Sequence, residues 1–239
     1  MCVAGYSGDG RTCTDVNECT TGMSTCSVNA TCMNVPGSYT CTCNTGYVGD
    51  GRTCTASGPT CTTIEGFEAG AWPVAPWTVQ AAGGTASGAA AHDGAFGLVD
   101  PGWHYETATT VGLPGDRLIV WARDDAGGAG RIYFGFDATA AGCKSFVFAP
   151  NTGDIRFQDN ATYGFTELMT TPFTATPARW YKMEITFRAG GIAEGRLYDS
   201  DGTTLRATVT QTYAGGIGVN GVALRSFGGF SIDTVQRCR

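Results

Sequence analysis

Between Trp180 and Arg188 the chain alternates strictly. Tyr181, Met183, Ile185 and Phe187 are apolar, and Lys182, Glu184, Thr186 and Arg188 are polar. A period of two puts the two sets on opposite sides of an extended strand, one of them facing a core. Similar short runs occur at Arg117–Arg123, Arg131–Asp137, Ser145–Ala149 and Gly221–Phe227. Asp199-Ser200-Asp201-Gly202 has the composition of a hairpin turn between strands expected at Gly195–Tyr198 and Thr204–Thr210. Convincing helical periodicity is missing, and Gly-rich turns divide the runs. The pattern predicts an all-β sandwich or barrel from Cys61 onward, a stretch long enough for one substantial core.

The first 54 residues are built differently. They hold eight of the eleven cysteines, and a segment so short cannot bury enough apolar surface to fold without covalent staples or a metal. Asp15-Val16-Asn17-Glu18-Cys19 is followed by a C-x-N-x-x-G-S-Y-x-C-x-C run through Cys32, Asn34, Tyr39, Cys41 and Cys43. G-Y-x-G-D-G-x-x-C then ends at Cys54. Residues 15–54 therefore resemble the calcium-binding EGF-like domain. The resemblance implies the pairs Cys19–Cys32, Cys26–Cys41 and Cys43–Cys54, one choice among fifteen pairings of six cysteines. It also implies a Ca2+ site made by side-chain oxygens of Asp15, Glu18 and Asn34 and by backbone carbonyls of Val16, Val35 and Ser38. With only two formally charged ligands, the expected affinity is weak, on the order of 0.1–1 mM.

Residues 4–14, A-G-Y-S-G-D-G-R-T-C-T, recur as T-G-Y-V-G-D-G-R-T-C-T at residues 45–55. A fixed offset of this kind marks a tandem array. Residues 1–14 thus read as the last loop of a preceding EGF-like repeat, closed by Cys2–Cys13, with Met1 as a fragment start. Residues 15–55 are the complete repeat, 56–60 a linker, and 61–239 the β-domain. Only Thr14 separates Cys13 from the metal motif, so the ion is expected at the seam between repeats. The recurring Tyr6 and Tyr47 have two readings: packing against the next module, or covering their own disulfide.

In the β-domain, Gly66-Phe67-Glu68 precedes Trp77, and His92-Asp93-Gly94 precedes Phe96-Gly97-Leu98. Val120-Trp121-Ala122-Arg123, the Trp180–Phe187 strand, Asp199–Leu205 and Gly228–Val235 follow. This order resembles the concanavalin A-like, laminin G-like jelly-roll group, with a galactose-binding-like jelly roll as the second reading. The resemblance implies neighbouring first and last strands, hence a Cys61–Cys238 bridge. Cys143 is then left as a buried thiol or a partner for another chain. Glu65, Glu68, Asp93 and Asp233 stand where related jelly rolls hold a structural ion, so a second calcium is weighed there.

Net charge is −6, with no basic cluster, which argues against nucleic acid and anionic membrane as partners. No apolar run is long enough to cross a bilayer as a helix. The cysteine count argues for an oxidising, extracellular or cell-surface location. A glycosidase needs two facing carboxyl groups, and no E-x-D-x-E run is present; Glu184 has no acid two residues away. His92 lies in a turn where structural hydrogen bonding is expected, whereas His104 is a candidate for a binding surface. Trp103, Tyr105, Tyr133, Phe157 and Tyr163 are the candidates for sugar stacking.

The sequence thus predicts a non-enzymatic, extracellular, lectin-like recognition or adhesion protein. A calcium-stiffened EGF-like stalk presents a sandwich that binds a glycan or a cell-surface protein. The alternatives are a structural fibre or filament subunit that self-associates, aided by Cys143, and a secreted glycan-active enzyme.

Overall fold

The computed structural model describes residues 1–239. Contacts divide the chain into two compact units, Met1–Thr60 and Cys61–Arg239. No helix is long and apolar enough to cross a membrane.

The first unit consists of three two-stranded ribbons and one short helical turn. Tyr6–Gly8 pairs with Cys13–Asp15, Ala30–Val35 with Ser38–Cys43, and Tyr47–Gly49 with Cys54–Ala56. Four disulfides hold them: Cys2–Cys13, Cys19–Cys32, Cys26–Cys41 and Cys43–Cys54. In both copies of the repeat an aspartate, Asp9 or Asp50, accepts the backbone N–H groups two and three residues on. That recurrence explains why G-D-G-R-T is repeated: it is an Asx-type turn closing each ribbon.

The second unit is a jelly-roll sandwich of two antiparallel sheets. One sheet runs Leu205–Thr212, Ile192–Tyr198, Trp180–Arg188, Arg117–Asp124, Phe230–Cys238, Gly97–Val99, Thr85–Ser87. Its eighth strand, Cys61–Glu65, pairs with the later half of Phe230–Cys238, and there Cys61 meets Cys238 in register and in a disulfide. The other sheet has seven strands: Thr166–Pro172, Asp154–Ala161, Gly142–Ala149, Arg131–Thr139, Asn220–Phe227, His104–Val111, Thr78–Val79. In each sheet a C-terminal strand is inserted beside one from the middle of the chain.

The core follows from the alternation. Leu118, Val120, Ala122, Tyr181, Met183, Ile185 and Phe187 from one sheet meet Ile132, Phe134, Phe136, Phe146, Phe148, Ile155, Phe157 and Leu224 from the other. Phe136 and Phe187 interlock edge to face at 5.2 Å, and Phe148 and Tyr181 at 5.3 Å. Such pairs contribute roughly 0.5–1.5 kcal/mol beyond their buried area. Phe157, expected as a stacking candidate, belongs to this core. It shares strand parity with Ile155, so it faces the opposite sheet.

Candidate functional site

In the first unit, Asn17 caps the turn Glu18–Thr21 by accepting the Thr20 N–H. The cap turns Glu18 inward, where it is 9% exposed. Asp15 Oδ2 accepts the Asn34 amide at 2.7 Å and Oδ1 accepts the Gly37 N–H at 2.5 Å. Those two donors, Gly37 foremost, hold the Asp15 carboxyl below its ordinary pKa. Val35 and Ser38 are paired across the turn that contains Gly37, and Val16 donates its N–H to the Gly5 carbonyl at 2.9 Å.

Two buried oxygens in this set have no donor: Glu18 Oε2 and Asn34 Oδ1. An unpartnered buried acceptor is costly, and a hard cation is what such oxygens lack. Asp15 spends one lone pair of each oxygen on N–H groups and keeps others free. The residues present therefore fit a calcium ion. The close approach that builds the seam depends on glycine: a Cβ at Gly5 would come within 2.2 Å of the Gly37 carbonyl oxygen, and one at Gly37 within 2.9 Å of the Tyr6 ring. Tyr6 thus packs on the following repeat, the first of its two readings.

In the sandwich, three of the four acids weighed for a second calcium, Glu68, Asp93 and Asp233, meet at the 92–96 loop, where each is engaged by the protein's own donors. Glu65 accepts Phe67 N–H and Trp77 Nε1–H, and Glu68 accepts Ala95 and Phe96 N–H. Asp233 takes the N–H groups of His92, Asp93 and Thr234. These carboxylates tie loops to strands, and no three acids, His or Cys converge on a metal position.

The outward side of the seven-stranded sheet carries a second apolar cluster. Tyr133, Val147, Ala149, Cys143 and Ala223 have the opposite parity to the core residues beside them, and Trp103, Ala138 and Tyr163 pack over them with Tyr105 at the edge. Trp103 lies 5.4 Å from Tyr133, 5.1 Å from Tyr163 and 6.5 Å, stacked, from Phe165. Tyr105 is 6.1 Å from Tyr163. Four of the five stacking candidates named from sequence are therefore brought together.

Local backbone devices aim these rings. Gly102 lets the Trp103 loop lie against the backbone, since a Cβ there would meet the Ala81 carbonyl oxygen at 2.1 Å. The Trp103 carbonyl accepts both Gln80 and Ala81 N–H. Thr162 and Tyr163 both sit at positive φ, 52° and 56°, a conformation that costs non-glycine residues roughly 1 kcal/mol or more each. The Tyr163 hydroxyl donates to the Thr139 carbonyl at 2.8 Å, and burial pushes its pKa up. Asn160, at the head of the sequon Asn160-Ala161-Thr162, is buried and donates to the Gly164 carbonyl at 2.7 Å, so it serves this loop and is closed to glycosylation.

Sequence reasoning missed Arg225, Phe165 and Phe227. The Arg225 guanidinium lies 4.7 Å from the Phe165 ring, 5.2 Å from Tyr133, 5.3 Å from Trp103 and 5.6 Å from Phe227. Phe165 and Phe227 are 54% and 38% exposed, while Trp103 is 4% exposed with its indole N–H unpartnered. The signal was present in the Gly221–Phe227 run: Ala223, Arg225 and Phe227 share one parity, opposite to Val222 and Leu224.

The other candidates have structural roles. His104 is fully buried, so it belongs to no binding surface: its Nδ1 is 2.9 Å from the Gly102 carbonyl, its ring meets Trp72 at 4.9 Å, and burial lowers its pKa. His92 stacks on Trp121 at 3.9 Å and so covers that ring. Cys143 is 5% exposed with a thiol pushed up to about 12 by burial, which removes it as a support for cross-linked fibres. Beside it a depression of about 400 Å³ is lined by Asp137, Lys144, Asp159 and Asn220, where Asp137 already accepts from Lys144, Asn220 and the Gly218 N–H.

Residues 19–54 match the EGF domain family model. Over 42 residues, 18% of this chain, the similarity to mouse (Mus musculus) nidogen-2 is 55% identity, and to rat (Rattus norvegicus) uromodulin 53%. The chain spans only 3% of the length of nidogen-2 and 6% of uromodulin. Among solved structures, the carbohydrate-binding module CBM66 of Bacillus subtilis aligns over 75% of this chain and 95% of its own, with 10% identity and a TM-score of 0.46. The Caenorhabditis elegans galectin LEC-6 aligns over 56% of this chain and 89% of its own, with 15% identity and a TM-score of 0.39. Structural likeness of this degree says nothing about ligands. The EGF-like module and five disulfides point to a secreted or surface protein.

Proposed function

We propose that the chain is an extracellular recognition protein whose sandwich binds glycan, without catalysis, on the outward side of its seven-stranded sheet. The observation that carries this reading is the aromatic assembly of Trp103, Tyr133, Phe165 and Phe227 outside the core. Phe165 and Phe227 are exposed at its surface over the buried Trp103 and Tyr133, and exposed rings grouped on a sheet face mark a binding surface. The exposed faces of Phe165 and Phe227 suit the apolar C–H side of a pyranose, with the Arg225 guanidinium beside both.

The EGF-like module binds calcium through Asp15, Glu18, Asn34 and the carbonyls of Val16, Val35 and Ser38. The two unpartnered buried oxygens support this, and the ion stiffens the joint between repeats. The combination suits adhesion: a stalk that holds, and a sandwich that reads.

The test is a binding screen of the full chain on immobilised glycans, in calcium and in chelator, with Phe165→Ala and Phe227→Ala alongside. Saturable binding that either substitution weakens at least tenfold is expected. Chelator leaves binding by the sandwich intact. Binding unchanged in both variants, or no binding to any glycan by folded protein, rejects the reading.

A further inference from the structure

We propose that the sugar this face selects is an acidic one, a uronate or sulfated residue whose anionic group is held by Arg225. The inference rests on the glycan-binding reading of the same face and names its ligand class.

Of the eleven arginines in the sandwich, nine pair with an aspartate or glutamate. Arg225 and Arg131 are the exceptions. Arg131 donates only to the Asn151 side chain, at 3.1 Å. Arg225 has rings on every side and no counter-ion, and its Nη1 is buried with no acceptor. Strand register makes the two arginines diagonal neighbours, because Arg131 stands opposite Phe227 and Tyr133 opposite Arg225. Burial lowers the Arg225 pKa and Arg131 adds to that effect, while the guanidinium remains charged at any ordinary pH.

A half-buried cation without an anion is an unusual thing to keep in a fold that pairs nine of its eleven arginines with carboxylates. Arg156, across the same sheet, shows the normal solution: it pairs with both Asp154 and Glu167. At Arg225 the neutralising partner is missing, and the exposed Phe165 and Phe227 flank the guanidinium. The rings hold the guanidinium plane, and its N–H fork is matched to carboxylate or sulfate oxygens. Trp103, more than nine-tenths buried, adds an indole N–H with nothing to bond. The unpartnered groups of this cluster are donors, so they call for a ligand that accepts. The exposed faces of Phe165 and Phe227 beside them call for a ring with an apolar side. An acidic pyranose supplies both; a neutral sugar would leave the charge unanswered, and an acidic peptide would lack the ring.

The experiment is calorimetric titration of the full chain with four oligosaccharide probes and, beside them, poly-glutamate. Oligogalacturonate and its methyl ester form one charged and neutral pair. Carrageenan oligosaccharides and their desulfated counterparts form the other. At least one acidic member should bind ten times more tightly than its neutral counterpart, and the favoured pair tells carboxylate from sulfate. Arg225→Met, which keeps the apolar stem, should abolish that preference. Arg225→Lys should retain part of it. Equal affinity for charged and neutral members overturns the acidic-sugar proposal and leaves the glycan reading standing. Silence from all four probes together with a blank glycan screen overturns both. Poly-glutamate binding as tightly as the best oligosaccharide overturns the sugar assignment in favour of a protein ligand. The wild-type comparison decides the matter even if Arg225→Met fails to fold.

Discussion

Replacing Glu18 by Gln should separate the two roles its buried carboxylate can have. Its Oε2 lacks any hydrogen-bond partner, so without calcium that oxygen is left unanswered by the fold. Gln is nearly isosteric and uncharged, and the metal-free variant should be no less stable than the parent. With calcium the order reverses, because one of only two charged ligands is gone. If the parent binds with a Kd of about 0.5 mM, 10 mM calcium stabilises the module by about 1.8 kcal/mol, from RT ln(1 + [L]/Kd). A tenfold loss of affinity reduces that to about 0.6 kcal/mol. The difference of about 1.2 kcal/mol is readable as hydrogen-exchange protection of the Ala30–Val35 and Ser38–Cys43 hairpin, with the Gly37 amide, bonded to Asp15, reporting occupancy directly. An unchanged calcium affinity in Glu18→Gln refutes the ligand assignment. So does a metal-free variant markedly less stable than the parent, since that would mean Glu18 has a partner within the protein.

Three further predictions concern the sandwich. Replacing Cys61 and Cys238 together by Ala opens a loop with a sequence separation of 177 residues, and the chain-entropy model puts the loss at about 5 kcal/mol; denaturant midpoints with and without the bridge measure it, and coincident curves contradict it. His104 is held neutral by burial, so its folded pKa lies below the unfolded value near 6.5. The unfolded chain then binds more protons as pH falls below about 6.5, and stability declines by up to about 1.4 kcal/mol per pH unit until the folded pKa is reached. His104→Phe should flatten thermal midpoints between pH 7 and 5, leaving the separate loss below about pH 4 that the depressed Asp116 and Asp137 carboxyls produce. Cys143 should resist a thiol reagent at pH 8 until the protein is unfolded, and labelling of the native chain within minutes would show that its environment is open.

The strands that were legible in the sequence are those with one clean face. Trp180–Arg188 reads correctly because its outward residues Lys182, Glu184, Thr186 and Arg188 are polar and its inward ones large and apolar. Asp154–Ala161 escaped because its outward positions, Arg156, Gln158 and Asn160, are polar yet buried. They are satisfied by ion pairs and hydrogen bonds that depend on distant residues such as Glu167 and Gly164. The EGF-like half was legible to the level of individual disulfides, since cysteine spacing there carries most of the architecture. The aromatic face was half legible. Trp103, Tyr105, Tyr133 and Tyr163 stand out by type, but Arg225 looks like any outward arginine until the absence of a carboxylate around it is visible. That absence is a property of four segments folded together. Phe157 and His104 were misplaced for the complementary reason: residue type suggested a ligand, whereas strand parity and loop packing put them inside.

The central claim is that ligand meets the outward side of the seven-stranded sheet. Amide and side-chain NMR shifts of the full chain should be recorded during titration with the tightest-binding oligosaccharide. Changes confined to Trp103, Tyr133, Phe165, Arg225 and Phe227 are predicted. Changes centred on His92, Trp121 and Trp180 of the opposite sheet, with this cluster silent, would contradict it.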